Sequence, residues 1–171
     1  MPEAQDQSHD NTRALVTNTT PLIALAAATG SLDALRVLYQ RVIVPFEVET
    51  ELCIGGMTCL GVAEFRQATW LERRSRAVSL SPHLSNTLDT GEASVIQIAL
   101  NENIPLVCID ESVGRRIARL NGLTLTGSIG VLLKAKQAGY EVSIPDALNR
   151  MRQHGIWLSA TVTAFALSQH H

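Results

Sequence analysis

Aromatic residues are scarce in this chain. They make up 4% of its 171 residues, so the core has to be built mainly from Leu, Ile, Val and Ala. Net charge is nearly absent too. Lys and Arg number 14 against 16 Asp and Glu, leaving −2 at pH 7. That balance excludes binding nucleic acid by bulk electrostatics, so any such contact must come from a local patch. Cysteine is limited to Cys53, Cys59 and Cys108. An odd number without metal-ligand spacing excludes a Cys-bound zinc site and fits a reducing cytoplasm. The longest apolar run, residues 21–28, falls far short of the roughly 20 residues a spanning helix needs. Residues 1–13 are polar, with no signal-like apolar segment. A cytoplasmic protein with no membrane contact is therefore expected.

What is present is a folded domain. An apolar fraction of 46% beside a charged fraction of 18% supports a buried core rather than disorder. The length predicts one domain over residues 13–168, preceded by a flexible tail over 1–12. Strands are predicted at 14–17, 42–44, 104–109 and 123–125. Helices are predicted at 20–28, 32–39, 45–55, 62–68, 89–100, 111–120, 129–136, 143–154 and 159–168, each start or stop marked by Ser, Thr, Asp, Pro or Gly. Residues 79–87 read as a loop. Strands alternating with helices predict an α/β fold, a central parallel sheet between helices.

Polar residues sit where such a sheet would place them on one edge. Asn18 follows the first strand, Glu51 lies on the helix after the second, Glu92 opens a helix, and Asp110 closes the 104–109 strand. Ser128, after Thr126-Gly127, is a fifth member. Separate oxygen donors from different elements are what Mg²⁺ or Mn²⁺ takes, with water and substrate phosphate completing the shell. Each residue also has a plain structural reading. Asp89 and Glu92 fit a capping box, Asp110 can cap the helix at 111, Glu51 can be an exposed helical charge, and Asn18 can stabilise a turn.

Four motifs in order resemble a known family. They are Val16-Thr17-Asn18-Thr19-Thr20-Pro21-Leu22-Ile23-Ala24-Leu25; Val44-Pro45 through Glu51-Leu52; Leu88-Asp89-Thr90-Gly91-Glu92-Ala93 with Val107-Cys108-Ile109-Asp110-Glu111 and Arg115-Arg116-Ile117-Ala118; and Leu125-Thr126-Gly127-Ser128-Ile129-Gly130-Val131-Leu132. Together they resemble PIN domains, in a branch related to VapC-type toxins. The resemblance implies a three-layer α/β/α sandwich and a Mg²⁺- or Mn²⁺-dependent ribonuclease. It also implies a homodimer, RNA as substrate and an antitoxin protein as partner. The family's acidic positions fall on Asn18, Glu51, Glu92 and Asp110, and its weaker last position on Ser128. Asn18 departs from the pattern, because an amide ligates without charge and cannot act as a base. A catalytically weak or inactive PIN-like module that binds RNA or protein is the alternative.

For RNA, Arg115, Arg116 and Arg119 are the expected contacts, on the helix that starts beside Asp110; Arg115 and Arg119 share a face. Arg73, Arg74 and Arg76 form a second basic cluster, and Lys134 and Lys136 are further candidates whose plainer reading is a solvated helix surface. Trp70 and Trp157 stand isolated and read as packing residues, so no stacking platform is expected. The apolar residues over 144–167 read as packing on the domain, with a dimer or antitoxin interface as the alternative.

Overall fold

The structure is a computed structural model and describes residues 11–54, 56 and 59–169. Most of the expected 1–12 tail lies outside those residues, as does Gly55, the expected stop of a helix. Asn11, expected in that tail, instead opens a 3-10 turn over Asn11–Arg13. Its side chain donates to the Glu102 carbonyl at 3.0 Å and accepts from Arg41 at 3.1 Å.

The chain then runs β1 (Ala14–Thr17), α1 (Thr19–Thr29), α2 (Asp33–Leu38), β2 (Arg41–Val44), α3 (Phe46–Cys53), α4 (Val62–Gln67) and β3 (Glu72–Arg73). It continues through α5 (Pro82–Ser85), α6 (Thr90–Asn101), β4 (Leu106–Cys108) and α7 (Ser112–Leu120). It ends with β5 (Thr124–Thr126), α8 (Ser128–Gln137), α9 (Ile144–Gln153) and α10 (Ala160–Ser168). The strands form one all-parallel sheet in the order β3-β2-β1-β4-β5. Parallel neighbours need crossover connections, and the helices supply them. The result is the three-layer α/β/α sandwich that the strand and helix alternation predicts.

Burial follows strand position. β1, fully buried at every residue, lies at the centre, while β3 and β5 at the edges keep exposed residues. Near-continuous apolar strands are what a sheet covered on both faces requires. Helices α1, α2, α8 and α9 pack together on one side; α6 packs with α3, α5 and α7 and lies against β1 and β4. Cys108 is buried in β4 as a free thiol, which suits its behaviour as a small hydrophobe.

Two expectations are corrected. The run from Glu72 to Arg76 is not simply a basic cluster, since its first two residues are the edge strand β3. Arg73 lies 4.3 Å over the Phe65 ring and donates to the Phe65 carbonyl. Arg74 pairs with Glu102 at 2.7 Å. The loop expected over 79–87 contains α5, held because Leu84 is completely buried. Among the described residues, no helix is long and apolar enough to cross a membrane.

Candidate metal centre

From β1 the chain builds outward to β2 and β3 on one side, and later to β4 and β5 on the other. The carboxyl ends of β1 and β4 therefore flank the point where strand order reverses, the place where open parallel sheets form a crevice. Asn18 donates its backbone N–H to the Cys108 carbonyl at 3.0 Å. That bond continues the ladder one residue past β1 and fixes Asn18 beside the end of β4.

Asn18 precedes α1 in extended backbone, yet its side chain makes no capping bond. The turn-stabilising reading therefore does not account for it. The residue is 4% exposed and its Oδ1 has no hydrogen-bond partner. A buried acceptor left without a donor costs roughly 1–3 kcal/mol, so it marks a place where a positive group belongs.

Two carboxylates reach the same place. A methyl group at Gly91 would lie 2.6 Å from Glu51 Oε2, 3.3 Å from Asn18 Oδ1 and 3.5 Å from Asp89 Oδ1. Three oxygens from three elements thus close on a spot that only glycine leaves open. Glu51 is exposed as a residue, but its Oε2 turns inward to accept from Thr19 Oγ1 at 3.1 Å. Loss of water there raises its pKa, opposed by the Thr19 bond and reinforced by Asp89 and Glu111.

Glu92 continues the cluster. It is 5% exposed, and its Oε1 is a second buried acceptor without a partner. A methyl at Gly114 would stand 2.8 Å from that oxygen, so α7 passes close because residue 114 has no side chain. One oxygen each from Asp89, Glu92 and Glu111 lie within 4.8 Å of one another. Burial first, then its hydrogen bond to Glu111 and the charges of Asp89 and Glu111, push the Glu92 pKa up to about 8. Asp89 also caps α6, accepting from the Glu92 N–H at 2.8 Å. Thr20 Oγ1 donates to Glu111 Oε1 at 3.0 Å and holds that side chain over the crevice.

Asp110 stands apart from this trio. Its Oδ1 accepts the Ser128 N–H at 2.7 Å and its Oδ2 accepts the Ser128 hydroxyl at 2.8 Å. Asp110 and Ser128 are thus brought together, with Asp110 held at the N-terminus of α8. Burial raises the Asp110 pKa; the two Ser128 bonds and the Arg115 charge act against that rise. Arg115 is half-buried and donates Nη1 to the Ile109 carbonyl at 2.7 Å and the Thr126 carbonyl at 3.2 Å. It ties the ends of β4 and β5 together, while Arg116 and Arg119 are exposed on α7. Asp89 and Glu111 are the members that reading the sequence assigned elsewhere, to a cap and to ordinary helix. For Asp89 the available signal was its place as the cap of the helix that carries Glu92; for Glu111 there was none, because its approach to Glu92 depends on where α7 passes.

The donor set is all oxygen. Among the described residues, this group contains no His or Cys. Such a set, with two unpartnered buried acceptors, suits a hard divalent cation. The sequence matches the PIN domain family over residues 14–171. The chain belongs to the PIN domain family. No curated protein and no solved structure matches it. The PIN domain is a nuclease-type fold, and in this one the acidic cluster at the switch point is compatible with divalent-metal binding.

Proposed function

We propose that this PIN domain is a Mg²⁺- or Mn²⁺-dependent ribonuclease, cleaving RNA phosphodiesters with water, and that it is the toxin of a cytoplasmic toxin–antitoxin pair working as a homodimer. The convergence of Asn18, Glu51 and Asp89 on Gly91, beside the Asp89–Glu92–Glu111 group, carries the hydrolytic reading. The toxin assignment rests on the motif order alone.

A bound divalent cation would ionise an attacking water and neutralise charge on the phosphodiester. Glu51, Asp89, Glu92 and Glu111 would hold it, with Asn18 Oδ1 as a neutral ligand. Glu92 carries a proton near neutral pH without a cation and must release it to ligate. Asp110, oriented by Ser128, would add a further carboxylate to the site towards β5. Arg115, with Arg116 and Arg119 exposed on the same helix, would meet the RNA backbone, whose phosphates need cations.

Cleavage of end-labelled RNA in Mn²⁺ tests this. Glu92→Gln should lower the rate by at least roughly 100-fold, the upper end seen even for residues outside a metal's ligand set. Equal cleavage by wild type and variant would overturn the site. The amide at residue 18 favours a second reading, a non-catalytic module that binds RNA or protein. That reading predicts no cleavage and no Mn²⁺ uptake by calorimetry.

A further inference from the structure

Glu111, one member of the acidic cluster, also lines a cleft of about 840 Å³, whose walls include Asp110 and Arg115. Pockets of roughly 300–1,000 Å³ hold single organic ligands. The far wall comes from α10 and the segment before it. Trp157, expected to be a packing residue, is 83% exposed, and Phe165 is 56% exposed. Both rings line this cleft. The connector after α9 holds Trp157 outside the core, while on α10 only Ala166 is buried. Lys134, exposed on α8, stands in the same cleft.

We propose that Trp157 and Phe165 form a nucleobase-binding subsite for the nucleotide next to the phosphate held at the metal centre. The proposal rests on the ribonuclease reading for that phosphate. Three features select a nucleotide over a second copy of the chain or a peptide. The aromatic wall shares its cleft with Asp110 and Glu111, so a base there belongs to the same strand as the reacting phosphate. Lys134 adds a cation suited to a flanking phosphate, and Arg115 adds another. Two aromatic side chains offer flat apolar faces, on which any base stacks without sequence preference. A smaller cleft of about 390 Å³ is lined by Phe46 and Ile54 beside Glu51 and Asp89, other members of the cluster.

Fluorescence anisotropy with a labelled oligoribonucleotide tests the subsite, with Ca²⁺ as the oxygen-seeking cation. Trp157→Ala should weaken binding roughly tenfold, within the range of one lost base stack. Trp157→Phe should keep most of the affinity, and Phe165→Ala should weaken it in the same sense. An abasic oligomer of equal length should bind wild type and Trp157→Ala alike. Because Trp157 is so exposed, its substitution leaves the fold intact, which the far-UV dichroism checks. Equal affinity of wild type and Trp157→Ala for the base-bearing oligomer overturns the subsite. So does a Trp157→Ala protein that changes from dimer to monomer with unchanged RNA affinity. No binding by wild type overturns the subsite and the ribonuclease reading together. Absent cleavage with base-dependent binding intact overturns only the ribonuclease reading.

Discussion

Asn18 is the residue on which the site turns. It is held by a backbone bond to β4, it is buried, and its side-chain oxygen has nothing to accept. A residue that only shaped the turn would have spent that oxygen on the start of α1. The amide instead lets three donors crowd Gly91 without adding a further negative charge to Glu51 and Asp89. Substitution Asn18→Asp separates these effects. In EDTA it places another acid in a site with no positive partner and should destabilise the fold by roughly 1–3 kcal/mol. In Mn²⁺ the added charge should tighten binding, so the rise in Tm with added Mn²⁺ should exceed that of wild type. Thermal denaturation with and without the ion reads both signs in one experiment. A variant as stable as wild type in EDTA, with an unchanged Mn²⁺ increment, would place residue 18 outside the metal centre.

At the scale of elements, capping and ligation turn out not to be alternatives. The N-terminus of α6 needs an acceptor for its free N–H groups, and Asp89 provides it through the Glu92 N–H. The same carboxylate lies within 4.8 Å of Glu92 and Glu111 oxygens. Asp89→Asn should preserve the cap, since Asn and Asp cap equally well, and lower Mn²⁺ affinity. Asp89→Ala should lower affinity too and in addition cost about 1 kcal/mol of stability. Urea melts beside calorimetric Mn²⁺ titration distinguish the pair; identical affinity in wild type and Asp89→Asn would leave Asp89 a cap only. This double use explains what reading the sequence could and could not reach. β1, β2 and β4 are short apolar runs ended by Asn18, Pro45 and Asp110, and β5 is a β-branched stretch stopped by Gly127, so pattern reveals them. β3 is two residues, Glu72 and Arg73, and α5 is four; neither is long enough to show a period, and both exist through tertiary contacts. Asn18, Glu92 and Asp110 stood out because each follows a recognisable strand or lies at a helix start, and Glu51 because it lies on the helix that follows one. Glu111 did not, because nothing local marks that α7 passes Glu92 at Gly114. The exposure of Trp157 was equally hidden, since it depends on where the chain leaves α9.

The whole molecule concentrates its charge rather than accumulating it. A net charge of −2 is mild, yet Glu51, Asp89, Glu92, Asp110 and Glu111 all stand on the carboxyl edge of one sheet. Burial and mutual repulsion raise the pKa values of Glu51, Glu92 and Asp110, with Glu92 reaching about 8. For an acid, a folded-state pKa above the unfolded one means that the native state holds the proton more tightly. The associated stability is fully present below the unfolded value of 4.5 and is lost as pH rises through about 8. The metal-free protein should therefore become progressively less stable between about pH 5 and pH 8.5, against the usual gain that ordinary paired carboxylates give on leaving acid. A divalent cation should reverse the trend, because it takes the place of the protons and binds better as they leave. Urea midpoints measured across this range in EDTA should fall with pH, while those in millimolar Mg²⁺ should stay level or rise. The Glu92→Gln protein, which cannot titrate at that position, should show a flatter EDTA profile than wild type. A wild-type midpoint that rises with pH in EDTA would mean that the acids are already compensated within the protein, and that the edge of the sheet is not waiting for a cation.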